Sequence, residues 1–494
     1  MRLFQGGFPV AKKIKAVSIT VAVAMLALMS AACGKTDDKP AADGGQGTAN
    51  GANASNSVYP ENGLPKDQKV TLKVGFFESG MGREWFDSAM DSFKKKFPNV
   101  SFEVVYSPKI DTIVGTKISA GNDQDMFDLF SGGIPGGVEP VVAAGKLEPQ
   151  EDLWDRKAYD GNGKTLKELA LDGEYASAPR VQGKTYALPV AGTSAGLLYD
   201  KNLFAKNGWN ENPKTWEEFL KLCEDIKAKG IVPITFPGQY PTYLDNAFGA
   251  WKLFELAEIN NNLKKFEDDF RNFKLPQHLS SESVERWKRI YEMGKKGYFP
   301  EGVAALNHTQ SQMQVVQGKA AMVATGTWVQ NEMKDSTPKD FKWGFMAVPM
   351  SSKPGSTVYV RLSAGNGNYI WAAKPDLNKK WAKEFNVWLW NLDVQTVIAD
   401  KGGMLPVRKD FSDDPARASK IQDAPKAMYD YMKTNKVMLE SGFRNVSLSD
   451  PAYQQSTKVI TEAITQIALG KQDPMPILQE AEALLKKAIE AQAK

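Results

Sequence analysis

Between Val70 and Phe130 the apolar residues of the chain change period repeatedly, from two to about four and back, and this restricts it to βαβ units. Val70-Thr71-Leu72-Lys73-Val74 alternates apolar and polar residues, then runs into Gly75-Phe76-Phe77 as a strand entering a core does. Trp85, Ala89, Phe93 and Phe97 follow at a spacing of four, which is one apolar helical face, closed by Pro98. A strand over 100–106, a helix over about 110–120 and a strand over 126–130 complete the run. Strands alternating with helices of this length predict a mainly parallel sheet in an α/β fold.

The alternation continues downstream. Leu197-Leu198-Tyr199 reads as a short strand, and Thr215-Trp216-Glu217-Glu218 opens a helix as a capping box. Helices are expected over 244–270 and 280–296, strands over 320–324 and 343–348, and mostly helix over the last hundred residues. Ile477, Ala481, Leu484, Leu485 and Ala488 place the final helix on a core. With 494 residues, two or three domains are expected.

The segment before Val70 has a different character. Lys12, Lys13 and Lys15 precede an apolar run over 16–28, followed by Ser30-Ala31-Ala32-Cys33-Gly34. A basic start, a short apolar run and small residues before a cleavage point make an export signal over 1–32, too short to span a membrane comfortably. The small-small-Cys-Gly ending resembles a bacterial lipobox, in which Cys33 is acylated; Ser30 departs from the Leu that the pattern prefers. The run from Pro40 to Ser57 has no residue larger than Gln or Asn and cannot bury apolar surface. The stretch 33–68 is therefore read as a lipidated cysteine and flexible tether, spanning roughly 30–35 Å. Cys33 and Cys223 are the two cysteines, so the fold does not depend on an internal disulfide.

Charge narrows the partners. The formal charge of +4 comes from four basic residues before Cys33; the remainder carries 58 of each sign. A neutral chain without a clustered basic excess is not expected to bind nucleic acid.

Motifs for catalysis are weak. Gly192-Thr193-Ser194-Ala195-Gly196 matches the serine-hydrolase expression, but an apolar strand follows where that mechanism needs a helix. Gly183-Lys184-Thr185 lacks the upstream glycine of a phosphate-binding loop, since residue 178 is alanine. No H-x-x-x-H pair or C-x-x-C is present to ligate a metal, and Asp123, Asp125 and Asp128 lack the Gly and Glu of a calcium loop. No cofactor is expected. A glycan hydrolase, whose paired carboxylates meet only in three dimensions, and a sensing or adhesive lipoprotein are the alternative readings.

Several separated stretches together resemble the extracellular solute-binding proteins of carbohydrate ABC importers. They are Phe93-Lys94-Lys95-Lys96-Phe97-Pro98-Asn99-Val100, Gly183-Lys184-Thr185-Tyr186-Ala187-Leu188-Pro189, Leu198-Tyr199-Asp200-Lys201-Asn202-Leu203-Phe204, Gln317-Gly318-Lys319-Ala320-Ala321-Met322 with Gly326-Thr327-Trp328, and Gly403-Met404-Leu405-Pro406-Val407. The resemblance implies a two-lobe, type II periplasmic-binding-protein-like fold with hinge strands and a cleft. One lobe would hold 70–194 and 340–390, the other 195–339 and 391–494. It also implies a lipid-anchored, monomeric, non-enzymatic receptor on the extracellular face of the cell membrane, handing a mono- or oligosaccharide to ABC permease subunits.

Ligand positions follow from the same resemblance. Trp328 is the leading stacking platform, and Tyr240, Tyr243 and Asp245 lie where relatives present an aromatic to the sugar. Glu78 and Ser79 end the first strand, and Ser131 and Gly132 end a later one, at edges where ligands bind in open α/β sheets. Thr193 stands at a crossover, Asn366 and Asn368 offer amides, and Arg444 offers a fork of donors. The segment from Pro233 to Tyr243 is also similar to relatives that bind N-acetylglucosamine or its β-linked dimer.

Overall fold

The computed structural model describes residues 57–492, apart from Ser79, Asp172 and Asn366; the expected export signal and Cys33 lie outside them. In chain order its strands are β1 (Val70–Phe77), β2 (Val100–Ser107), β3 (Leu129–Phe130), β4 (Ala191–Asp200), β5 (Val232–Thr235), β6 (Ala320–Gly326), β7 (Trp343–Met346), β8 (Val358–Gly365), β9 (Tyr369–Ile370) and β10 (Val437–Leu439). They form two sheets. The smaller has the order β2-β1-β3-β9, parallel except for β9, and the larger has the order β10-β8-β4-β6-β5 with β7 also on β4. This is the two-lobe arrangement of a type II binding-protein fold.

The predicted βαβ start is present. The helix Glu84–Lys96 buries Trp85, Phe86, Ala89, Met90 and Phe93 and leaves its three lysines outside. Phe93 meets the rings of Phe97, Trp381, Phe385 and Trp388 at centroid distances of 4.8–6.1 Å. Each ring buried this way contributes about 1.5–3 kcal/mol. The stretch 57–68, expected as the end of the tether, is docked on this core: Tyr59 stacks edge-on against Phe97 at 4.9 Å and donates to Asn99 Oδ1.

Three expectations change in detail. Helix 244–270 is divided into Asp245–Phe248, Ala250–Ile259 and Leu263–Arg271: Gly249 is extended (ψ −168°) at the first break, and Asn261 turns left-handed (φ 55°) in an Asn-Asn-Asn run at the second. The capping box at Thr215 is half formed: its Oγ1 accepts from the Glu218 amide at 3.2 Å, while Glu218 accepts from the Lys214 amide. The short strand at 197–199 is the end of a ten-residue strand, β4, which includes the whole Gly-x-Ser-x-Gly segment. Ser194 is thus no nucleophile elbow; it is buried in extended chain and its Oγ donates to the Arg361 carbonyl at 2.7 Å.

β4 is the axis of the molecule. Its Ala191 and Gly192 pair with Gly365 and Ala364 of β8 on one side, and Gly192 exchanges two 2.8 Å backbone bonds with Leu405 on the other. Three chain segments therefore cross together at one level. The segment 340–390 is split: β7 and β8 lie in the larger sheet and β9 in the smaller, while Val394, Ile398 and Met404 pack with Trp85 and Phe86.

The final helix, Pro474–Gln492, is anchored by a carboxylate. Glu482 accepts backbone N–H bonds from Gln277, His278 and Leu279 at 2.6–3.3 Å. His278 Nε2 sits 3.1 Å from Ser456 Oγ, whose proton goes to the Ala481 carbonyl, so the ring donates. Burial, with Arg286 and Arg444 nearby, pushes its pKa down to about 4. The unfolded chain then binds the proton more tightly than the folded one, so stability present above pH 6.5 is lost as pH falls toward 4. Urea midpoints should drop across that window by an amount equivalent to about 3 kcal/mol at most. His278→Asn should flatten the profile.

Candidate cleft

At the carboxyl end of β1 and β3 the backbone is tied so that the strand tips face open space. Ser131 donates its N–H to the Gly75 carbonyl at 2.9 Å, and its Oγ accepts from the Phe77 amide at 2.8 Å. Gly132 has φ 94°, and a Cβ there would lie 2.8 Å from Ile110, so only glycine permits this turn. Beside it lies a cavity of about 430 Å³. Its walls are Phe77 and Ser131 from the strand tips, Tyr186 and Tyr369 from the crossing region, and Phe443 and Arg444 from the loop after β10. Burial and the charge of Glu139 push the Tyr369 phenol up to about 12, so it remains a neutral donor in ordinary conditions.

A second group of side chains occupies one end of the larger sheet. The helix Asp245–Phe248 and the turn Pro241–Leu244 pack on β6, the helix also on β4, and carry Tyr243 and Asp245 there. Tyr240 and Tyr243 flank His308, one stacked at 4.4 Å and the other edge-on at 4.2 Å. Asp245 lies 3.6 Å from Arg286, and Arg361 of β8 also acts on its charge. Set deep although open on one side, the Asp245 carboxyl is raised by burial, with the two arginines opposing. Trp328 is half-buried, its ring lying over Gly326, where a Cβ would come within 2.0 Å of it. Glu332, which accepts from Gln312 at 2.5 Å, reaches the first lobe's tip: a Cβ on Gly80 would meet its carboxylate at 2.4 Å. The two groups are therefore neighbours across the gap between the sheets.

The structure places Tyr240, Tyr243, Asp245 and Trp328 at one end of the larger sheet, and Ser131, Gly132 and Arg444 around the cavity; Glu78 follows β1, its N–H donating to the Ser107 carbonyl, and is not one of the cavity walls. Thr193 is buried within β4, opposite Ser363. Arg444 borders the cavity but spends its donors on the Phe270 carbonyl and on Gln277 Oε1, stacked between Phe270 and Phe273. Asn368 is turned inward: its amide donates to Asn386 Oδ1 and its carbonyl accepts from Gln150. Ser79 and Asn366 lie outside the described residues. Sequence reasoning passed over Tyr186, Tyr369, Phe443, Arg361 and Glu332. A signal was available for one of them, since Arg361 interrupts the apolar Val358-Tyr359-Val360 run of a strand.

With this geometry in hand, comparison with known proteins is informative. A sequence model of the family described as bacterial extracellular solute-binding protein matches residues 88–428. The diacetylchitobiose binding protein NgcE of Streptomyces coelicolor is 25% identical over 327 residues, covering 64% of this chain and 64% of that protein. The multiple sugar-binding protein of Streptococcus mutans is 24% identical over 300 residues, 60% of this chain and 66% of its own length. A solved chitin oligosaccharide binding protein superposes with a TM-score of 0.64 at 19% identity, covering 85% of this chain and 99% of that one.

Proposed function

The chain belongs to the family of bacterial extracellular solute-binding proteins, and from that membership we propose that it captures a sugar outside the cytoplasm by lobe closure and delivers it to an ABC permease. The observation that carries this reading is the cavity itself. Sugars present apolar C–H faces and a rim of hydroxyls, and the cavity offers Phe77, Tyr186, Tyr369 and Phe443 as faces beside tyrosine and serine hydroxyls. Its walls come from both sheets' connections, so a ligand touching all of them favours the closed state.

The lobes of this reading are 70–194 with 340–390, and 195–339 with 391–494. The pairing of β7 and β8 with β4, and the packing of Met404 on the first core, support boundaries nearer 366 and 404. Closure then pivots at the crossing of β4, β8 and Leu405. Trp328, Tyr240 and Tyr243 serve as platforms, with Asp245, Glu78 and Ser131 as polar contacts. Acylated Cys33 tethers a monomeric receptor to the outer face of the membrane. Similarity to diacetylchitobiose- and chitin-oligosaccharide-binding proteins supports an N-acetylated amino sugar as ligand.

A thermal-shift screen of the protein against mono- and oligosaccharides tests the proposal. A ligand at 100 times its Kd should add about 2.7 kcal/mol, raising Tm by a few degrees. A flat response across neutral and N-acetylated sugars would overturn it.

A further inference from the structure

Two of the buried arginines in this fold are each held by several acceptors. Buried Arg408 is held by Asp160, Asp410 and the Trp390 carbonyl. Arg271 is held by Glu267, Glu440 and the Phe443 carbonyl. Arg361 differs. It is half-buried, and among the described residues its guanidinium donates no hydrogen bond; the Trp251 ring lies 5.8 Å away. A partly buried guanidinium that spends none of its five N–H donors on the protein keeps them for what enters beside it.

The position of Arg361 follows from register. β8 pairs Arg361 with Ala195 of β4, and β4 pairs Ala195 with Gly326 of β6, so the three lie in one row on one face of the sheet. Two of them are the smallest residues available, and the Trp328 ring fills the space above Gly326, so Ala195 is what separates that ring from Arg361 along the row. Asp245 overhangs this row from the helix Asp245–Phe248. Arg286 holds Asp245 from one side at 3.6 Å and is itself held by the Phe248 carbonyl. Arg361 senses the charge of Asp245 and Tyr243 without forming an ion pair with either. An unspent donor and a half-spent acceptor thus lie beside one row of the sheet.

We propose that Arg361 and Asp245 form a donor–acceptor couple that reads an acetamido substituent on the bound sugar, Arg361 donating to its carbonyl oxygen and Asp245 accepting from its N–H. The inference rests on the sugar-receptor reading and assigns part of its specificity. An acetamido group places an acceptor and a donor on opposite edges of a plane and adds a methyl group. The Trp328 ring laid over Gly326 suits that methyl. A carboxylate in the same place would satisfy Arg361 but set its second oxygen against Asp245, which rejects uronates.

Isothermal titration of the whole protein with N,N′-diacetylchitobiose, its fully deacetylated dimer and cellobiose tests the couple. The wild type should prefer the diacetylated sugar by at least about tenfold, the value of one hydrogen bond to a charged group. Arg361→Met should erase that preference while changing cellobiose affinity by less than about threefold. Arg361→Lys, which keeps the charge, serves if the methionine variant fails to fold. Asp245→Asn, whose amide oxygen still accepts, should retain most of the preference, and Asp245→Leu should lose it. Equal affinities in the wild type, or a preference unchanged in Arg361→Met, would overturn the couple and leave the receptor reading intact. Binding of some other sugar but none of these three would do the same. No binding of any sugar would bring down both.

Discussion

Replacement of Glu255 by alanine is expected to destabilise the protein by about 3–5 kcal/mol, the cost of leaving a buried charge without its partner. Lys252 and Glu255 lie one turn apart in the helix Ala250–Ile259, each 1% exposed, with Nζ 2.7 Å from Oε2. The carboxylate does more than neutralise the lysine. It accepts the Met350 amide at 2.6 Å and the Tyr359 amide at 3.0 Å, stitching the helix to both ends of the segment between β7 and β8. Glu255→Ala therefore strands one cation and two backbone donors together. Lys252→Met leaves the carboxylate with both amides and should cost less. Burial already lowers the Lys252 pKa, with Glu255 opposing; without Glu255 it falls further. A depressed lysine means that the unfolded chain binds the proton more tightly, so the Glu255→Ala deficit should shrink as pH rises toward 10. Urea midpoints at unchanged m value, taken at pH 7 and pH 9.5, check both the size and the sign. A loss below about 1 kcal/mol would mean that water reaches the pair.

How much of this was legible in the sequence depends on where each residue's decision is made. The first sheet and the helix Glu84–Lys96 were legible because their apolar periods are local and their bulky residues point one way. β4 was legible only at Leu197-Leu198-Tyr199. Its first half, Ala191 to Gly196, has no period at all, and it is extended because β8, β6 and Leu405 pair with it from both sides. The division of helix 244–270 turned on single residues, Gly249 and the left-handed Asn261, which no window average registers. The same distinction governs the site. That Tyr240, Tyr243 and Asp245 stand together could be anticipated because one short segment carries them, whereas Trp328 reaches the same sheet only through β6. Where an amide or guanidinium spends its donors is a tertiary matter: Asn368 and Arg444 looked available in sequence and are committed to Asn386 and Phe270. Phe443 and Tyr186 had no pattern to announce them, since aromatic residues in loops are ambiguous until a cavity forms beside them.

Trp328→Ala is expected to weaken sugar binding by about 30- to 150-fold while leaving the fold nearly as stable. A ring laid on the face of a sugar contributes about 2–3 kcal/mol from the area withdrawn from water and from C–H contacts. Its own burial in the free protein is only partial, so truncation should cost the fold far less than loss of a core tryptophan such as Trp381. The backbone of Trp328 opens the helix Val329–Met333, its carbonyl accepting from the Asn331 and Glu332 amides at 3.1 and 3.2 Å, and alanine preserves both bonds. Trp328→Phe should recover most of the affinity. Gly326→Ala supplies the sharper test, because it removes nothing. A Cβ at that position would stand 2.0 Å from the ring, so the indole must leave the plane it occupies over β6. If orientation of the platform matters, Gly326→Ala should weaken binding nearly as much as Trp328→Ala, with the tryptophan still present and its fluorescence altered. An unchanged Kd in Trp328→Ala would move the platform to the other side of the gap. The rings of Phe77, Tyr186, Tyr369 and Phe443 would then carry the sugar in the 430 Å³ cavity alone.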